Sequence, residues 1–145
     1  MQKVTFSIPI RASKEKVWKT LLEDETYRKW TSPFAEGSYA ETDWKEGSKA
    51  LFLGPTGEGM VSRIETHRPN EYLSILHLGV VKNGVEDTTG DEVKAWAGAH
   101  ENYTVKEADG VTTVSIEMDT TDEYKSYFEE TWPKALAKLK EIAES

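Results

Sequence analysis

"TTDEYKSYFEETWPKALAKLKEIAES", residues Thr120 to Ser145, decides the fold. Thr120-x-x-Glu123 fits a capping box, in which each side chain accepts a hydrogen bond from the other residue's backbone N–H. Tyr124, Phe128, Thr131, Ala135, Leu139 and Ile142 then recur on one face at the helical period. The spacing predicts a helix over 122–144, roughly 35 Å long at about 1.5 Å per residue. Pro133 inside it withholds a backbone N–H from the Glu129 carbonyl and is expected to bend the helix. A helix with one apolar face needs a partner to cover that face, and the rest of the chain supplies a sheet.

Upstream, Val4, Phe6, Ile8 and Ile10 alternate with polar residues over Lys3–Ile10, which reads as a strand, and Pro9 suits an edge or a strand end. Ser13 can cap a helix over Lys14–Glu23, with Glu15 in its first turn and Val17, Trp18, Leu21 and Leu22 forming an apolar stripe. Asp24 starts a second short helix that carries Tyr27 and Trp30 and ends before Pro33. Turns follow at Glu36-Gly37, Glu46-Gly47 and Gly54-Pro55-Thr56-Gly57, with strands near Ser38–Thr42 and Lys49–Leu53. Further strands are predicted over Gly59–Thr66, Glu71–Val81, Val93–Lys106 and Val111–Met118. Asn83-Gly84 and Asp109-Gly110 are hairpin turns of the kind that tolerates positive φ. The order is a strand, two short helices, about six antiparallel strands and a long helix. It describes an α+β protein, a curved sheet of about six or seven strands wrapped on its C-terminal helix. Such a sheet leaves room near the aromatic segment Tyr27–Phe52, where a cavity is expected.

At 145 residues the chain is expected to form one domain over 1–145. Its net charge of −8 repels phosphate backbones, and no basic stripe offsets it, so a nucleic-acid partner is not expected. With no cysteine, disulfides, thiol nucleophiles and thiolate metal sites are excluded. No apolar run approaches the ~20 residues of a membrane span, and the alternating N-terminus lacks a signal-peptide core. A cytoplasmic protein is the default.

Several tempting motifs dissolve on inspection. His67, His77 and His100 lack the i, i+4 spacing of a helical zinc pair. Asp87, Asp91 and Glu92 lack the alternating order of a calcium loop. Gly54-x-x-Gly57-x-Gly59 runs into a strand, not into a helix N-terminus that would hold a phosphate. No serine sits in a hydrolase elbow. No metal or other cofactor is therefore expected. Glu101, Tyr103, Glu117 and Tyr127 remain as candidates for acid–base chemistry. Strand parity puts Glu101 on the same side as Tyr103 and Val105, and puts Glu117 opposite Val114, Ile116 and Met118, towards solvent. His77 is then expected to be the only titratable cavity group apart from tyrosines.

Ile8-x-x-x-Ala12-Ser13-x-x-x-Val17-Trp18, Trp30, Phe34, Asp43-Trp44-x-x-Gly47, Gly59, Pro69 and Trp132-Pro133-x-Ala135-Leu136 together resemble the START-like (SRPBCC, helix-grip) superfamily. Within it the chain is most similar to bacterial relatives of the C-terminal domain of the heat-shock-chaperone ATPase activator. The resemblance spans essentially the whole chain and implies the helix-grip fold. It also implies a cavity between sheet and C-terminal helix that holds a small hydrophobic molecule or lipid. Relatives include carriers, cyclases and receptors, so a polyketide cyclase/hydrolase-like enzyme and a module that partners a chaperone are the alternatives to a non-catalytic binder.

The residues assigned to ligand binding are Trp30, Phe34, Trp44, Met60, Ile75, His77, Tyr103, Tyr127, Phe128 and Thr131. Trp30, Phe34 and Trp44 flank Pro and Gly turns and read equally as core or as pocket lining. Apolar members would contribute affinity by burial, about 25 cal/mol per Å² before ordering costs. His77, Tyr103 and Thr131 would orient the ligand's polar groups.

Overall fold

The computed structural model describes residues 1–145. Strand β1 (Gln2–Ile10) leads into helices α1 (Lys14–Leu22) and α2 (Asp24–Trp30). Then come β2 (Tyr39–Glu41), β3 (Lys49–Leu53), β4 (Gly59–Arg68), β5 (Tyr72–Lys82) and β6 (Val85–Asp87). A short helix α3 (Asp91–Lys94) precedes β7 (His100–Ala108) and β8 (Val111–Thr120), and α4 (Asp122–Glu144) closes the chain. The strands form one antiparallel sheet of eight, ordered β1-β8-β7-β5-β4-β3-β2, with β6 paired to β5. Helix α4 lies against β1, α1 and α2. This is the helix-grip arrangement that the order of elements predicts.

Local chemistry explains most boundaries. Ser13 caps α1 by accepting the Lys16 amide at 3.2 Å. Asn83-Gly84 (φ 51° and 77°) and Asp109-Gly110 (φ 53° and 79°) turn β5 into β6 and β7 into β8 with two positive φ values each, which only such pairs adopt easily. Two register shifts between β4 and β5, at Val61/Ser62 and Ile64/Thr66, add the twist that curls the sheet.

Three expectations need correction. The sheet has eight strands, because β6 is a three-residue strand too short to read from its alternation. Residues 93–99 are not strand. Val93 is buried in α3, and the chain turns through Gly98 at φ 91°, where the Gly98 N–H donates to the His77 carbonyl and the His77 N–H to the Ala99 carbonyl. The capping box does not form either. Thr120 pairs with Gln2 as the last residue of β8, so Thr121 becomes the N-cap, and its buried hydroxyl has no partner.

Helix α4 runs unbroken through Pro133. Its buried stripe is Thr131, Trp132, Ala135, Leu136, Leu139 and Ala143, while Tyr124 and Tyr127 are exposed. The expected face is buried from Thr131 onward, while in the first two turns Phe128 is only partly buried against the core. On the covered face of the sheet, cross-strand rows of side chains form the floor of the core. One row runs Val4, Met118, Glu101, Ile75, Ile64, and four of its five members are buried hydrophobics.

Candidate functional site

Helices α1 and α2 and the loop between β2 and β3 hold a row of aromatic rings over β3, β5 and β7. Between them lies a cavity of about 10 Å³, room for about one water-sized sphere. Its walls are ten hydrophobic residues: Trp18, Leu21, Leu22, Tyr27, Trp30, Trp44, Phe52, Leu73, Ile75 and Tyr103. None comes from α4. The expected position between sheet and C-terminal helix is therefore corrected, and the cause is Trp132. That side chain is 2% exposed, and its ring centroid lies 4.9 Å from Phe34 and 6.1 Å from each of Phe6, Trp30 and Tyr103. It fills the space under α4 that a ligand was expected to take.

The roof is held by specific hydrogen bonds. Trp30 donates its indole N–H to the Leu21 carbonyl at 3.1 Å, which locks α2 onto α1. Trp44 sits at φ 62°, the left-handed region, which costs a non-glycine residue about 1–2 kcal/mol. Its carbonyl accepts from His67 Nδ1 at 2.7 Å, and His67 Nε2 accepts the Trp18 indole N–H at 3.3 Å. Because one ring nitrogen donates and the other accepts, His67 is held as the Nδ1–H tautomer. Two wall residues, Trp18 and Trp44, are thereby tied through one imidazole. The Trp44 ring packs 6.0 Å from both Tyr27 and Phe52.

Next to this apolar space runs a buried polar chain. Ser62, fully buried, lies 2.7 Å from His77 Nδ1. His77 Nε2 lies 3.0 Å from Glu101 Oε1, and the Tyr103 hydroxyl donates to Glu101 Oε2. Nε2 carries the proton towards the carboxylate, and Nδ1 pairs with the Ser62 hydroxyl. Burial by itself would push the Glu101 carboxyl up, but the hydrogen bond and charge of His77 and the Tyr103 hydroxyl outweigh it and hold Glu101 below the usual carboxylate range. Burial, reinforced by the Glu101 charge, pushes the Tyr103 and Tyr27 phenols up.

The residues assigned from sequence fall into separate places. Trp30, Trp44, Ile75 and Tyr103 line the cavity. His77 adjoins it through Glu101 and through Phe52, whose ring is 6.1 Å away. Met60 pairs with Phe52 across β3 and β4. Phe34, Tyr127 and Phe128 gather beside the first half of α4, where the Tyr127 hydroxyl donates to the Phe34 carbonyl at 2.9 Å. Thr131 is buried one residue before Trp132. Glu117 is half exposed beside Lys3, as its parity predicts. Glu101 is the omission from the site: His77 is not the only titratable group there besides tyrosines. Its parity with Tyr103 and Val105 was the available signal. Tyr27 and Phe52 were missed as walls because their segment lacks a period that assigns a face.

Solved structures of similar fold cover almost the whole chain. A protein from Mesorhizobium loti superposes with a TM-score of 0.74 at 14% identity, covering 97% of this chain and 96% of its own. The Aha1 dimer from Colwellia psychrerythraea gives 0.71 at 20% identity, covering 99% and 97%. CalU16 from Micromonospora echinospora gives 0.69 at 15% identity, covering 97% and 75%. At such identities the likeness establishes the fold. No curated protein matches the chain. The family described as "Activator of Hsp90 ATPase homolog 1-like protein" matches residues 11–144, and the chain belongs to that family.

Proposed function

We propose that this protein binds a small hydrophobic or amphipathic molecule, without catalysing its conversion, in the aromatic cavity beneath α1 and α2. The observation that carries this reading is the juxtaposition of an all-apolar wall with a partly buried, hydrogen-bonded acid at Tyr103. Such a site offers burial for affinity and a few polar atoms for orientation. The strained backbone of Trp44 supports the same reading, since strain of this kind persists where the surroundings hold a side chain in a required place. At about 10 Å³ the cavity is smaller than such a guest, which enters by displacing the Trp44 loop and α2. Phe34, Met60, Tyr127, Phe128 and Thr131 would meet a guest that extends towards α4.

The serine, histidine and glutamate in line invite an enzymatic reading, and the geometry argues against it. Ser62 is fully buried mid-strand, and His77 is 6% exposed, so neither meets a substrate carbonyl. Glu101 is held ionised, which suits an acceptor better than a general acid. As for a chaperone partner, the exposed large hydrophobics are only Met1, Val85, Tyr124 and Tyr127, too few for an extended apolar docking patch.

Titration with N-phenyl-1-naphthylamine, an uncharged apolar dye, tests the proposal. Saturable binding with tryptophan quenching is expected, weakened by about 1–3 kcal/mol in Trp44→Ala. Trp30→Ala is read in the same way in protein whose circular dichroism remains native. Equal dye affinity in wild type and both variants would remove these rings from the site.

A further inference from the structure

The row Val4, Met118, Glu101, Ile75, Ile64 crosses the covered face of the sheet, and Glu101 interrupts an otherwise apolar line. An ionised side chain in such a row costs several kcal/mol of hydration unless it has partners. Glu101 has two, His77 and Tyr103, one on each carboxylate oxygen. Each oxygen can accept a second hydrogen bond, so the carboxylate, which stands behind the wall residue Tyr103 and is not itself one of the ten lining residues, retains acceptor capacity.

The donors around the cavity are mostly engaged. The Trp18 indole N–H goes to His67, the Trp30 indole N–H to the Leu21 carbonyl, and the Tyr103 hydroxyl to Glu101. Tyr27 lines the same cavity and its hydroxyl has no hydrogen bond of its own, leaving it able to donate. No lysine or arginine lines the cavity, so nothing there offsets a second negative charge. An anionic headgroup would meet Glu101 without a counter-cation. A hydroxyl group can donate to the carboxylate and accept from Tyr27 while its apolar body lies against the rings.

We infer that the ligand is an uncharged, hydroxyl-bearing apolar molecule, an alcohol or phenol, with Glu101 as the acceptor that recognises its hydroxyl and rejects carboxylates. This rests on the binding reading above and specifies its ligand class. Glu101 contributes recognition here by touching the ligand, and His77 positions it.

Three probes with one apolar body separate the two claims: 2-methylnaphthalene, 2-naphthalenemethanol and 2-naphthoate, titrated at pH 7 by tryptophan quenching into wild type and Glu101→Gln. The expected order is methanol derivative tightest and naphthoate weakest, with about tenfold or more between them. In Glu101→Gln the gap should shrink to about twofold, with the 2-methylnaphthalene affinity unchanged. If 2-methylnaphthalene binds but naphthoate equals or exceeds the alcohol, the ligand-class inference is overturned and the pocket survives. The same holds if Glu101→Gln keeps the full discrimination. If no probe binds, the pocket itself is lost, and the inference with it. Should Glu101→Gln fail to fold, the wild-type ranking alone decides.

Discussion

Two groups of aromatic rings sit under the helices of this protein, one beneath α4 and one beneath α1 and α2. Beneath α4, Trp132 is buried and enclosed by Phe6, Phe34, Trp30 and Tyr103. Beneath α1 and α2, Tyr27, Trp44 and Phe52 stand about 6 Å apart, tilted and half-buried, around a small void. The difference follows from what carries each group. A rigid 23-residue helix sets Trp132 at a fixed depth, and its neighbours pack to it. Trp44 rides on a loop with a left-handed residue, held by a few hydrogen bonds. Similar rings make a core in one place and line a small cavity in the other, with Trp30 common to both.

Removing one ring from each region gives the largest contrast. Trp132→Ala should cost about 3–5 kcal/mol in denaturant unfolding, the range for emptying an aromatic core position. Trp44→Ala, at a half-buried position whose left-handed backbone strain alanine keeps, should cost no more than about 1–2 kcal/mol while cutting dye affinity. If the two losses come out equal, the division into core and cavity fails.

The polar chain between the regions is the next test. His77→Ala leaves Glu101 without its main partner, and a loss of about 3 kcal/mol is expected at neutral pH. Glu101 also sets an acid limit. Its carboxyl is held down in the fold, so the stability it contributes is full above the unfolded value of about 4.3 and is lost as pH falls through the lower folded value. Melting temperature against pH in Glu101→Gln should therefore fall less steeply below about pH 4.3 than in wild type. Parallel curves would mean that Glu101 is not held ionised by the fold.

The smallest effect belongs to α4 itself. Pro133 is exposed and withholds an amide from the Glu129 carbonyl, so Pro133→Ala should raise stability by about 1 kcal/mol, one net hydrogen bond. The cavity under α1 and α2 should be indifferent to it, because α4 lines none of its wall. A change in dye affinity would show that α4 takes part in the site after all.

By itself the sequence determined the order of elements apart from β6 and α3, the extent of α4 from Asp122 to Glu144, the two glycine hairpin turns, and which side of its strand Glu117 faces. These depend on period, capping and turn chemistry, which act over a few residues. It also held the parity that puts Glu101 beside Tyr103. Tertiary structure alone decided that Thr120 belongs to β8 and not to a helix cap, because its partner Gln2 lies far away in the chain. It alone joined Ser62, His77, Glu101 and Tyr103 across β4, β5 and β7. It alone moved the cavity from α4 to α1 and α2. Which space a bulky ring fills depends on the depth and angle at which two distant elements meet, and no local pattern around Trp132 encodes that distance.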